Sequence, residues 1–138
     1  MLTGLRISTK PEEIDSTWVI TELRATYLGE RLTPIQIMRA MDHSLCFGAY
    51  LDNAPGTQQV GFARVVTDRS VFSSITDMLV GEQYRRQGVG TALLLAILAH
   101  PWVAPTICIL QSKYAADFYA KQGFKPVTAG VMRRMPST

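Results

Sequence analysis

The stretch Val80-Gly81-Glu82-Gln83-Tyr84-Arg85-Arg86-Gln87-Gly88-Val89-Gly90-Thr91 decides how this chain is organised. Before it, Ser73 to Val80 reads as a β-rich run; after it, Thr91 to His100 is an apolar helical segment stopped by Pro101. The two glycines therefore stand between a strand end and a helix start. At such a junction the unpaired first N–H groups and the positive end of the helix dipole favour a bound phosphate. Without a β-carbon at Gly88 and Gly90, backbone N–H groups can close on a pyrophosphate, and Arg85 and Arg86 add charge-assisted contacts. A Walker loop would require Gly-Lys-Ser/Thr here, and a dinucleotide fingerprint would require a third Gly or Ala where Leu93 stands. The expected ligand is a phosphorylated carrier of another kind.

Working outward, the pattern is mixed α and β. Leu2 to Ser8 reads as a short edge strand, and Pro11-Glu12-Glu13 resembles a helix opening. Val19, Ile20, Leu23 and Tyr27 recur at helical spacing, so a helix is expected from Ser16 to Leu28, stopped by Gly29. Thr33 caps a second helix that has Pro34 in its first turn and runs to about Asp42. Ser44 to Leu51, Gln59 to Thr67 and Ser73 to Val80 form an antiparallel meander, with Asp52-Asn53-Ala54-Pro55-Gly56 as a turn. After the apolar helix, Thr106 to Leu110 reads as a buried strand and Tyr114 to Gln122 as a helix closed by Gly123. Two further strands are expected near Phe124 to Val127 and Val131 to Met135.

At 138 residues the chain has the size of one domain, residues 1–138, able to bury roughly two thirds of its unfolded surface. The longest apolar stretch, Ala92 to Ala99, falls far short of the roughly 20 residues of a bilayer span, so no membrane association is expected. The N-terminus is too polar for a secretory signal, which points to a cytoplasmic location. Cys46 and Cys108 lie in apolar runs with neither metal spacing nor a disulfide framework, and read as reduced core residues. The net charge of +3 is scattered rather than gathered into a nucleic-acid stripe, yet suits a small anionic ligand.

Arg85-x-x-Gly88-x-Gly90, preceded by the strand exit Val80-x-x-x-Tyr84, resembles the Arg/Gln-x-x-Gly-x-Gly/Ala motif of the GCN5-related N-acetyltransferase (GNAT) superfamily. Downstream, Phe118-Tyr119-x-x-x-Gly123-Phe124 is similar to that superfamily's second signature, and two ordered motifs are far more specific than one. The resemblance covers about Val60 to Val127. It implies an α/β (α+β) fold with a mixed, mostly antiparallel sheet of six to seven strands flanked by about four helices. It also implies acetyl-CoA as co-substrate, an amine-bearing acceptor, no metal, and a homodimer as a common assembly.

Carried over residue by residue, the resemblance implies a splayed or bulged strand whose backbone at Met78, Leu79 and Val80 binds the pantetheine arm and polarises the thioester. Arg85, Arg86, Gln87, Gly88, Val89, Gly90 and Thr91 correspond to the pyrophosphate-binding segment. Tyr119 occupies the place of the general acid, because a phenol with a pKa near about 10 remains a proton donor at neutral pH. Tyr114 is the weaker substitute. Ser112 stands where many relatives carry an Asn that contacts the coenzyme A arm. A general base is less clearly marked: Asp77 is favoured over Glu82, and Glu22 is a further candidate contact for the amine. His43 and His100 sit where structural roles are commoner. The expected activity is acetyl transfer from acetyl-CoA to a primary amine, a small molecule being favoured, by direct attack in a ternary complex. The rival readings are a non-catalytic acyl-CoA-binding regulatory module and a protein N-terminal or lysine acetyltransferase.

Overall fold

A computed structural model describes residues 2–53, 56–127 and 130–137. The order of elements is β1 (Leu5–Ser8), α1 (Ser16–Arg24), α2 (Pro34–Asp42), β2 (Leu45–Asn53), β3 (Gly56–Thr67), β4 (Phe72–Val80), α3 (Val89–Ala99), β5 (Ile107–Leu110) and α4 (Ala116–Ala120). Single 3₁₀ turns occupy Pro11–Glu13 and Glu82–Tyr84. The strands form one sheet in sequence order, antiparallel from β1 through β4 and parallel between β4 and β5. This is the mixed, mostly antiparallel sheet with four helices that the sequence implied. The tip of the β2–β3 turn, residues 54–55, lies outside the described residues.

The two faces of the sheet carry different helices. On one, Val89, Leu93, Leu94 and Ile97 of α3 are buried against Ala49, Val60, Ala63 and Val65, with Tyr119 of α4 in the same cluster. Gly61 permits this close approach, since a β-carbon there would stand 2.8 Å from a methyl of Val89. On the other face Val19 and Trp18 of α1 and Met41 of α2 pack with Cys46, Phe62 and Leu79. Asp15 caps α1 by accepting from the Trp18 amide at 3.1 Å. Thr33 and Gln36 complete a reciprocal capping box on α2, so the cap expected at Thr33 is present.

The largest departures from expectation are in two helices and in the strand count. The first helix stops at Arg24 instead of Leu28, because the Thr26 hydroxyl donates to the Leu23 carbonyl at 2.7 Å and Gly29 folds back against that same oxygen. The last helix is the short Ala116–Ala120 segment, leaving Tyr114 exposed before it. Among the described residues the sheet has five strands rather than six to seven, since Phe124 to Val127 and Val131 to Met135 pair with no strand. Pro126 has no N–H to donate to a ladder, and Val127, Val131 and Met132 are exposed, so no burial rewards pairing. Among the described residues, no helix is long and apolar enough to cross a membrane.

Candidate active site

Strand β4 is where the regular sheet breaks. Its partner β3 pairs Phe62 with Leu79 but Arg64 with Thr76, so the single residue Ala63 faces both Asp77 and Met78. This is a β-bulge, and it places Asp77 at φ +53°, a left-handed conformation that Asp tolerates better than most side chains. On its other edge β4 pairs with β5 only from Phe72 to Ile75, in parallel with Ile107 to Leu110. The pairing ends at Ile75, and among the described residues the edge from Thr76 to Val80 has no strand partner on that side. The bulge turns a continuous sheet into a split along Met78, Leu79 and Val80. Met78 and Val80 lean towards the α3 core and Leu79 towards α1, so the peptide edge itself faces the split.

The split leads to the start of α3. Gly88 is the N-cap, in the left-handed conformation at φ +88°, and no side chain caps the first turn. The first amides of α3, including Gly90 and Thr91, therefore keep their donors free, with the helix dipole behind them. Gly90 has a second neighbour: a β-carbon there would touch the Phe118 ring at 3.5 Å, so its smallness also seats α4 beside the helix start. Arg85 Nε donates to the Val80 carbonyl at 3.2 Å, tying the loop to the strand end. Arg86 is exposed at φ +63°, and Gln87 Nε2 donates to the Gln83 carbonyl at 3.0 Å. Val89 turns its side chain into the core.

Tyr119 is held by two edge-on aromatic contacts, with Phe118 at 4.9 Å and Phe124 at 5.9 Å between ring centres. Burial pushes its phenol above the ordinary tyrosine value, which keeps the hydroxyl protonated well past neutral pH. Ser112 is a turn residue: its hydroxyl accepts from the Ala115 amide at 3.0 Å, and the side chain is exposed. Beside it the Lys113 ammonium lies 5.0 Å from the centre of the Tyr27 ring, so the loops after α1 and β5 meet.

Two carboxylates named as candidates for handling the amine have distinct surroundings. Asp77 does not present a free carboxylate: its Oδ2 accepts from Arg64 Nε at 2.8 Å, and both side chains are largely buried. Glu22 lines a cavity of about 340 Å³ with Trp18, Gln58, Gly81, Glu82 and Tyr84. Arg64 was not singled out by sequence reasoning, although an arginine inside Gly61-Phe62-Ala63-Arg64-Val65-Val66 is the kind of buried charge that requires a partner. Among the described residues no group of three His, Cys, Asp or Glu side chains is arranged to hold a metal.

A mixed sheet split at a bulge thus runs into a glycine-capped helix start. Residues 42–126 match the acetyltransferase (GNAT) domain family. The whole chain superposes on a protein from Xanthomonas campestris pv. campestris belonging to the GNAT family, with 30% identity, 100% of both chains covered and a TM-score of 0.88. The fold is shared at greater distance with glucosamine-6-phosphate N-acetyltransferase from Arabidopsis thaliana, at 14% identity, 96% and 99% coverage and a TM-score of 0.68. It is shared likewise with an aminoglycoside acetyltransferase from an uncultured soil metagenomic sample, at 16% identity, 98% and 97% coverage and a TM-score of 0.67. No curated protein sequence matches. The chain belongs to the GNAT acetyltransferase family and is an N-acetyltransferase.

Proposed function

We propose that the enzyme transfers the acetyl group of acetyl-CoA to the primary amine of a small molecule, by direct attack within a ternary complex in the cytoplasm. The observation that carries this reading is the free β4 edge from Thr76 to Val80 leading straight to the uncapped start of α3. An extended amide-bearing arm ending in a pyrophosphate is the ligand shape that such an arrangement suits. The backbone of Met78, Leu79 and Val80 would pair with the pantetheine amides and donate to the thioester oxygen as negative charge develops on it. Gly88, Val89, Gly90 and Thr91 would bind the pyrophosphate through N–H groups and the Thr91 hydroxyl, with Arg85, Arg86 and Gln87 at its rim. Ser112, already engaged in its own turn, would line the arm at most from the side.

In the chemical step the neutral amine attacks the thioester carbonyl, the C–N bond forms and the C–S bond breaks. The Tyr119 hydroxyl gives its proton to the departing thiolate, the amine proton passes to water, and water returns a proton to the phenolate. Turnover with a panel of small amines and acetyl-CoA tests the reading, monitored by release of free thiol and by the mass of the acetylated product. Acceptor-dependent thiol release is expected. Tight binding of acetyl-CoA without any turnover across small amines, peptides and protein N-termini would overturn it.

A further inference from the structure

We propose that Arg64 is a positioning residue for acetyl transfer: by gripping Asp77 inside the β4 bulge it holds open the split against which the thioester is bound. The inference rests on the donor site assigned above and reassigns Asp77 from base to backbone anchor. The observations are geometric. Asp77 is the residue that the bulge inserts, and its left-handed backbone is one that an L-residue leaves readily for the extended form. Were Asp77 to become extended, the two-against-one register with Ala63 would be lost and the peptides of Met78 and Leu79 would rotate. Something must hold the conformation.

The Arg64 guanidinium supplies that hold with two of its donors. Nε donates to Asp77 Oδ2 at 2.8 Å, and Nη1 donates to the Ser44 hydroxyl at 3.1 Å. That hydroxyl in turn donates to the Ala40 carbonyl at 2.7 Å, in the last turn of α2. The side chains of Arg64 and Asp77 are 19% and 16% exposed, so water competes weakly for the pair. A chain of three hydrogen bonds thus runs from α2, on the α1 and α2 face of the sheet, to the bulge in the donor strand. The fork geometry is particular to arginine, since a lysine ammonium at the same place is a point charge that cannot address Asp77 and Ser44 in one plane. With Oδ2 occupied by Arg64 and Oδ1 facing the Thr76 hydroxyl at 3.4 Å, Asp77 has its oxygens turned to the protein.

Four variants assayed in the full chain test this: Asp77→Asn, Asp77→Gly, Arg64→Met and the double variant Arg64→Met/Asp77→Gly. Asn keeps an oxygen for Arg64 and tolerates a positive φ, so Asp77→Asn should retain kcat within about 3-fold and leave the pH profile of kcat unmoved. Arg64→Met should lower kcat at least about 10-fold and raise the KM for acetyl-CoA. Gly adopts φ +53° unaided, so Asp77→Gly alone should keep kcat within about 3-fold, which loss of an ion pair needed for its own sake would not allow, and in that background the Arg64→Met change should cost less than about 3-fold in kcat. If Arg64→Met fails to fold, Asp77→Asn and its pH profile decide the matter. A loss in Asp77→Asn of about 100-fold or more with a displaced acidic limb would restore Asp77 as the base and overturn the proposal. Equal effects of Arg64→Met in both backgrounds would also overturn it. Absence of turnover in the unaltered enzyme would instead refute the acetyl-transfer reading itself, so the two failures are distinguishable.

Discussion

Replacing Tyr119 by Phe deletes one oxygen from a side chain whose ring is fixed by Phe118 and Phe124, so the substitution separates chemistry from packing. The ring contacts survive, and among the described residues the hydroxyl has no hydrogen-bond partner, so stability should change by less than about 1 kcal/mol. A general acid contributes typically 10²- to 10⁴-fold, so kcat should fall at least about 100-fold, equivalent to about 2.7 kcal/mol of barrier. The KM for acetyl-CoA should move little, because the split and the helix start are untouched. Burial raises the phenol pKa, so the acid stays protonated, and the enzyme's basic limb should not fall near the ordinary tyrosine value of about 10. Steady-state kinetics against both substrates, with a denaturant titration of each protein, reads all of this. A variant that keeps more than a third of the original kcat while remaining folded would refute the assignment of Tyr119 as the acid. Tyr119→Ala, by contrast, should cost about 3–5 kcal/mol of stability through the cavity that it opens in the core, and is the wrong probe of mechanism.

Three further outcomes follow from the same geometry. Gly88→Ala puts a β-carbon on a backbone at φ +88° beside the free amides, so calorimetric titration should show acetyl-CoA binding about tenfold weaker, with roughly 1 kcal/mol lost in stability. Gly61→Ala places a carbon 2.8 Å from Val89 and 3.1 Å from Leu93, and chemical denaturation should show a loss of about 1–3 kcal/mol from overpacking under α3. His100 accepts from the Trp102 amide through Nδ1 at 3.1 Å, and burial lowers its pKa. Its folded value lies below its unfolded one, so its contribution to stability is full above about pH 6.5 and is lost as pH falls through the folded value. The melting temperature should accordingly decline less between pH 7 and pH 5 in His100→Asn, which keeps an acceptor but no titrating ring.

Much of the architecture was legible because it is encoded locally. The capping box of Thr33 and Gln36 announces α2, and Gly88 with Pro101 brackets α3 closely, since each sets backbone conformation within a few residues. The bulge is a different matter. Asp77 disrupts a β-rich run, but the register that makes it a bulge is set by β3, and the arginine that grips it lies 13 residues away. Sequence reading thus found Asp77, with its neighbours unread, and did not find the Arg64 that binds its carboxylate. The strands expected near Phe124 and Val131 illustrate the opposite error. Alternating apolar residues in a short segment specify a strand only when a neighbouring edge buries them, and here Val127, Val131 and Met132 remain exposed. Helix ends were misjudged for a related reason: the side-chain hydrogen bond from Thr26 to the Leu23 carbonyl ends α1 before its apolar periodicity does.

The central claim is that the free edge of β4 and the start of α3 form one continuous site for acetyl-CoA. Amide chemical-shift mapping by nuclear magnetic resonance during titration with acetyl-CoA tests it most directly, residue by residue and without turnover. The largest shifts should fall on two groups, the amides of Gly88 to Thr91 and those of Met78 to Val80, saturating together at one ligand per chain. Titration with inorganic pyrophosphate should move the first group alone. Shifts confined to the cavity around Trp18 and Glu22, or a saturable response that leaves both groups unmoved, would contradict the account.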